Sequence, residues 1–259
     1  MFERHSTHTT PHFLFKVGAL LLLLFANIPA FAQQPAAGRG ALAWADSVYR
    51  AQANEVISNA SMTLPVLDSA LKVYVVAQDT CKAALINSWR SHCFEATGRT
   101  DSAVAVALRA LRMFRPDCDS LVLMSIHVNL SNAWLELGEY RKVKELTEAS
   151  LRNWNERWPY SIAHNGLYTN RAIALANLND KAGALQAFRD VLANARKEGI
   201  VSNESDALQN LGAIFGWMAE EGSTQANLDS SERYQRRAID LARRIGDTRG
   251  LLYLYSNMG

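Results

Sequence analysis

Three cysteines, six histidines and a few neighbouring carboxylates are the residues of this 259-residue chain with the chemistry for catalysis or metal binding. Cys81, Cys93 and Cys118 form an odd set, so an oxidising compartment leaves at least one thiol unpaired. None of them belongs to a Cys-x-x-Cys pair, which removes the usual redox and zinc spacing. His5, His8 and His12 crowd the start, and His92, His127 and His164 are scattered, each without a second ligand at i+4. A metal site needs several such donors converging, and no such grouping is legible. Asp117 with Asp119, and Glu220 with Glu221, sit in polar stretches that read as solvated charge. Gly38-Arg39-Gly40 is too short for a phosphate-cradling loop, and no Ser–His–Asp arrangement has a signature. These residues point to no acid–base, nucleophilic, metal or cofactor chemistry, so the expected function is binding.

Helices must then position whatever surface does the binding. Alanine and leucine are abundant, hydrophobic residues make up 49%, and only six prolines and 14 glycines interrupt the chain. In Asn129 to Tyr140, Leu130, Ala133, Trp134 and Leu137 recur at steps of three and four, the spacing of one helical face. Gly138 ends that helix and Tyr140 begins the return, so the stretch predicts a helical hairpin.

The start of the chain has the pattern of an export signal. Arg4 and Lys16 precede an apolar run from Val17 to Ala26, and Ala30-Phe31-Ala32 supplies a small-x-small cleavage site before Gln33. The run is short of the roughly 20 residues of a membrane span, the alternative being an uncleaved anchor. Removal of residues 1–32 leaves 25 basic and 24 acidic residues, a balance that favours neither acidic nor basic partners and argues against a nucleic-acid surface. Residues 33–45 read as a flexible leader and residues 46–259 as one helical array.

The array is internally repetitive. Turns at Thr97-Gly98, Leu137-Gly138 and Leu178-Asn179 recur at 40 and 41 residues. Each returning helix places a slim residue early (Ala70, Ala103, Val143, Ala184, Ser231) and another seven later (Ala77, Ala110, Ser150, Val191, Ala238). Bulky Phe94, Trp134, Leu175 and Phe215 face them from the first helices. The earliest unit departs from the pattern, with Pro65 at the expected turn, and Glu220 to Thr224 read as a surface-loop insertion in the fifth. Asn257-Met258-Gly259 matches Asn210-Leu211-Gly212, as though a sixth unit had begun. Trp154, Trp158 and Tyr160 between the third and fourth units fit either a stacking surface or a hydrophobic plug beside Pro159.

These residues resemble the tetratricopeptide (TPR) repeat, in Asn129-Leu130-Ser131…Trp134…Gly138-Glu139-Tyr140, Asn170-Arg171-Ala172…Leu175…Asn179-Asp180…Ala184 and Asn210-Leu211-Gly212…Phe215…Ser231…Ala238. The period near 40 exceeds the usual 34. The resemblance implies an all-α superhelix, a TPR-like solenoid of about five hairpins, that holds a protein or peptide in a concave groove lined by the first helices. His92, Asn132, Glu136, Asn177, Gln209 and Trp217 are the expected groove residues, among Leu85, Ser88, Glu95, Val128, Leu135, Thr169, Ile173 and Asp206. It also admits a second role, as the extracytoplasmic sensor region of a bacterial histidine kinase or transcriptional regulator. Equivalent positions in stacked hairpins are expected about 8–10 Å apart, beyond the roughly 7 Å limit of a disulfide. A Cys81–Cys118 bridge is therefore disfavoured, and Cys93, in mid-helix, is expected to be a small buried residue.

Overall fold

A computed structural model describes residues 39–55, 59–154, 162–222, 224–248, 250–252 and 254. Ten helices with defined bounds follow in sequence: α1 (Arg39–Glu55), α2 (Ala60–Val76), α3 (Thr80–Ala96), α4 (Thr100–Met113), α5 (Ser120–Glu136), α6 (Tyr140–Trp154), α7 (Ile162–Asn177), α8 (Lys181–Glu198), α9 (Val201–Gly222) and α10 (Gln225–Ile245). Helical backbone resumes at Thr248, and no strand occurs among the described residues. Residues 1–38, Trp158, Tyr160, the side chain of Trp154 and the Asn257-Met258-Gly259 match lie outside that description. No described helix is long and apolar enough to cross a membrane.

The helices pair as five hairpins. The three turns read from the sequence share one geometry, with Gly98 and Gly138 at φ 72° and Asn179 at φ 65°. A left-handed residue is needed there so that the next N–H can reach back. Arg99, Glu139 and Asp180 donate to the carbonyls of Phe94, Trp134 and Leu175 at 2.8–2.9 Å, closing a Schellman turn each time. Aspartates then open the helices: Asp79, Asp119 and Asp180 accept from the backbone N–H of Lys82, Leu121 and Gly183.

Packing follows the slim residues. Ala103, Val143, Ala184 and Ser231 are buried, as are Ala110, Ser150, Val191 and Ala238. In the fifth hairpin the first helix is slim as well. A Cβ on Gly212 would meet Gln235 Cγ at 2.7 Å, and one on Gly216 would meet Ser231 Oγ at 3.3 Å. Ser231 Oγ uses that closeness to donate to the Gly212 carbonyl at 2.8 Å.

The first hairpin corrects the expected register. Pro65 lies inside α2, whose cap is Asn59, so its turn comes earlier than expected. Ala77 is the exposed C-cap of α2, and the buried slim pair is Thr63 and Ala70. Thr63 stands four residues after its cap residue, as Ala103 and Ala184 do. The expected loop at Glu220–Thr224 is also corrected: Glu220, Glu221 and Gly222 are exposed but helical, extending α9. Likewise α1 begins at Arg39 and buries Ala41 and Ala45, inside the stretch expected as leader.

First helices pack on one another in order, α3 on α5, α5 on α7, and more sparingly α7 on α9. Second helices pack on their own first helix and the next one, without comparable contact among themselves. Rods joined on one side and splayed on the other curve toward the joined side, so the first helices line the inner face.

Candidate groove on the first helices

Polar side chains stitch the inner spine. Asn129 of α5 donates its amide to the Ser88 carbonyl and Oγ of α3, both at 2.9 Å, and Ser88 Oγ meets Ser125 Oγ at 2.9 Å. One hairpin later, Asn170 of α7 donates to Ser131 Oγ at 2.8 Å and to Asn132 Oδ1. Gly166 lets α7 approach closely, because a Cβ there would sit 3.2 Å from Val128 Cγ1. These bonds satisfy buried polar atoms that would otherwise be costly, and they fix how one first helix lies on the next.

The stitching places several expected groove residues in helix–helix seams. Ser88, Asn132 and Ile173 are buried, Asn132 being 7% exposed and held by Asn170. Their expected groove-facing role is corrected to a packing one. His92 is part-buried, its Nδ1 3.5 Å from Glu95 Oε2. Glu136 is exposed, and Asn177 and Gln209 are half-buried, with Asn177 donating to the Ile173 carbonyl at 2.9 Å. Trp217 is half-buried beneath Lys181, whose Nζ lies 4.7 Å from the ring centroid and pairs with Glu221. Leu121 on α5, one 40-residue period after Cys81, is 55% exposed.

Burial perturbs two titratable groups of α5 and α9. His127 is pushed down to about 4 by desolvation. Its Nδ1 is 2.7 Å from Ser150 Oγ, whose single proton goes to the Leu146 carbonyl. The ring therefore donates from Nδ1 and is neutral. Asp206 is pushed up to about 7, first by burial and then by the charge of Asp247. A raised carboxyl contributes stability that is full below its ordinary value near 4 and is lost as pH rises through about 7. Asp206→Asn is therefore expected to be more stable than the native chain at pH 8, by on the order of 2 kcal/mol or about 4–8 °C in Tm. The gap should widen from pH 4 to 7 and stay level above. Thermal melts showing a pH-independent gap would refute this.

The cysteines depart from expectation. Cys81 and Cys118 are joined, with Cα atoms 5.3 Å apart. The expected spacing assumed equivalent positions, but Cys81 is the second residue of α3 while Cys118 precedes the Asp119 cap of α5. The three-residue offset closes the distance. Asp117 lies within 4.8 Å of both sulfurs, but these are bonded to each other and Asp117 pairs with Arg115 at 2.8 Å. Cys93 is buried, and desolvation pushes its thiol up to about 11, so it is an inert packing residue.

The architecture is that of a TPR-like helical repeat array. No protein-family model matches the chain, and no curated protein does. Among solved structures the chain is similar to YrrB, described as a TPR protein with an unusual peptide-binding site. The TM-score is 0.46 at 15% identity, covering 83% of this chain and 90% of that one. The hairpins themselves carry that architecture.

Proposed function

We propose that this TPR-like array is a non-catalytic scaffold that holds an extended protein or peptide segment along its inner face. The supporting observation is the stitched row of first helices, which presents part-exposed polar side chains (Thr169, Asn177, Gln209) on a fixed spine. Amide side chains at that spacing can pair with peptide backbone. The buried Asn132 serves packing, so groove variants belong at Leu121 and Gln209. Peptides selected from a random nonapeptide phage library on the purified protein are expected to bind Leu121→Arg/Gln209→Arg at least tenfold more weakly, with circular dichroism unchanged. Equal binding would place the docking surface elsewhere.

We further propose an exported location. The pattern of residues 1–32 supports it, and so does the Cys81–Cys118 bridge, since disulfides persist in oxidising compartments. The same location suits the sensor role. An apolar run of about 20 residues and an output domain encoded after Gly259 would support that role, and a stop codon there would remove it.

A further inference from the structure

The overall charge balance conceals a division between the two faces. Second helices α2, α4, α6, α8 and α10 carry 16 Lys and Arg against nine Asp and Glu, whereas the first helices α1, α3, α5, α7 and α9 carry five against eight. Basic residues end every second helix from α4 onward: Arg112, Arg152, Arg196 with Lys197, and Arg243 with Arg244. All of these are exposed. The cations of α3 and α7 are held in ion pairs, Arg90 and Arg171 by carboxylates of second helices and Lys82 by one of the first helix α1. Lys82 Nζ is 2.8 Å from Asp46 of α1, Arg90 Nε is 2.6 Å from Asp68 of α2, and Arg171 Nε is 3.5 Å from Glu148 of α6. Among the described residues, α3, α5, α7 and α9 thus offer the groove no Lys or Arg outside an ion pair, although Arg50 of α1 is exposed; Glu136 is exposed and Asp206 is half-buried.

We propose that the occupant of the inner face is a cationic extended peptide segment, one bearing lysine or arginine side chains directed at Glu136 and Asp206. This rests on the inner face being the docking surface. The outer face repels such a segment, and complementary potentials steer encounter toward the face that does not. One edge of the array shows the same recognition within the chain, where Lys181 lies over the Trp217 ring and pairs with Glu221. A ligand cation beside Asp206 also supplies the opposite charge that this carboxyl lacks next to Asp247.

Three labelled twelve-residue peptides on one Gly/Ser/Thr framework test the inference, carrying three Arg, three Gln or three Glu. Fluorescence anisotropy at low salt is expected to show the Arg peptide binding at least tenfold more tightly than the Gln peptide, with the Glu peptide weakest. Raising the salt should shrink the difference, because exposed charges are screened within about 8 Å at physiological ionic strength. Glu136→Gln/Asp206→Asn should bring the Arg and Gln peptides within twofold of each other. Equal or tighter binding of the Gln or Glu peptide overturns the cation preference. If Leu121→Arg/Gln209→Arg then abolishes that binding, the groove itself stands. An Arg peptide indifferent to the Glu136 and Asp206 changes also overturns the preference, because it binds elsewhere. Failure of all three peptides to bind counts against both the preference and the groove.

Discussion

Ala110→Trp is expected to lower the melting temperature by about 10 °C or to prevent folding, while Ala77→Trp leaves it within about 2 °C of the native value. Ala110 is fully buried on α4, in one cluster with Ala84 of α3 and Val122 and Ile126 of α5. An indole cannot enter without separating three helices, and overfilling a packed contact costs about 1–3 kcal/mol or more. For a chain of this size each kcal/mol moves Tm by roughly 2–4 °C. Ala77 occupies the corresponding place in the sequence pattern but is exposed at the end of α2. Differential scanning calorimetry separates the two cases. Equal destabilisation would restore the register that the spacing alone implied, and an unaffected Ala110→Trp would mean that α4 does not meet α5 there.

Replacing both bridged cysteines, Cys81→Ser/Cys118→Ser, is expected to cost about 3–4 kcal/mol, since cross-linking a loop of this length restricts the unfolded chain by that amount. The two cysteines are 37 residues apart and enclose all of α4. The corresponding fall in Tm is roughly 6–16 °C. Treating the native protein with a reductant should reproduce the fall, and Cys93→Ser should leave the bridge intact by mass spectrometry. A native chain whose melting is indifferent to reductant would show that the bridge is not formed in solution.

Much of this architecture was legible because its determinants are local. Gly98, Gly138 and Asn179 announce left-handed turns, the aspartate caps sit beside them, and slim residues seven apart mark a face. The errors arose where the determinant was not local. Pro65 stands where the repeat places its turn glycine, yet Asn59 caps α2 early enough to leave Pro65 in its second turn. Glu220 and Glu221 looked like loop because they lengthened a repeat, although both are good helix formers continuing α9. Cys118 was misjudged by three residues of register, enough to separate a bridge from a near miss. The resemblance put Asn132 in the groove because first helices line the inner face; its partner, Asn170, is 38 residues away, and no local pattern names it. The charge division between faces was invisible to a net count, which averages helices that point opposite ways.

From the second hairpin onward, each hairpin meets the next through two seams, first helix on first helix and second helix on the following first helix. The second helices are not comparably joined to one another, so a change of curvature would be taken up where each of them meets the following first helix. The sulfur link between the start of α3 and the segment before α5 clamps one of these junctions. Compliance is then unequal along the rod, lower at the clamped second and third hairpins than at the α7–α9 junction, where the first helices touch more sparsely than α3 on α5 or α5 on α7.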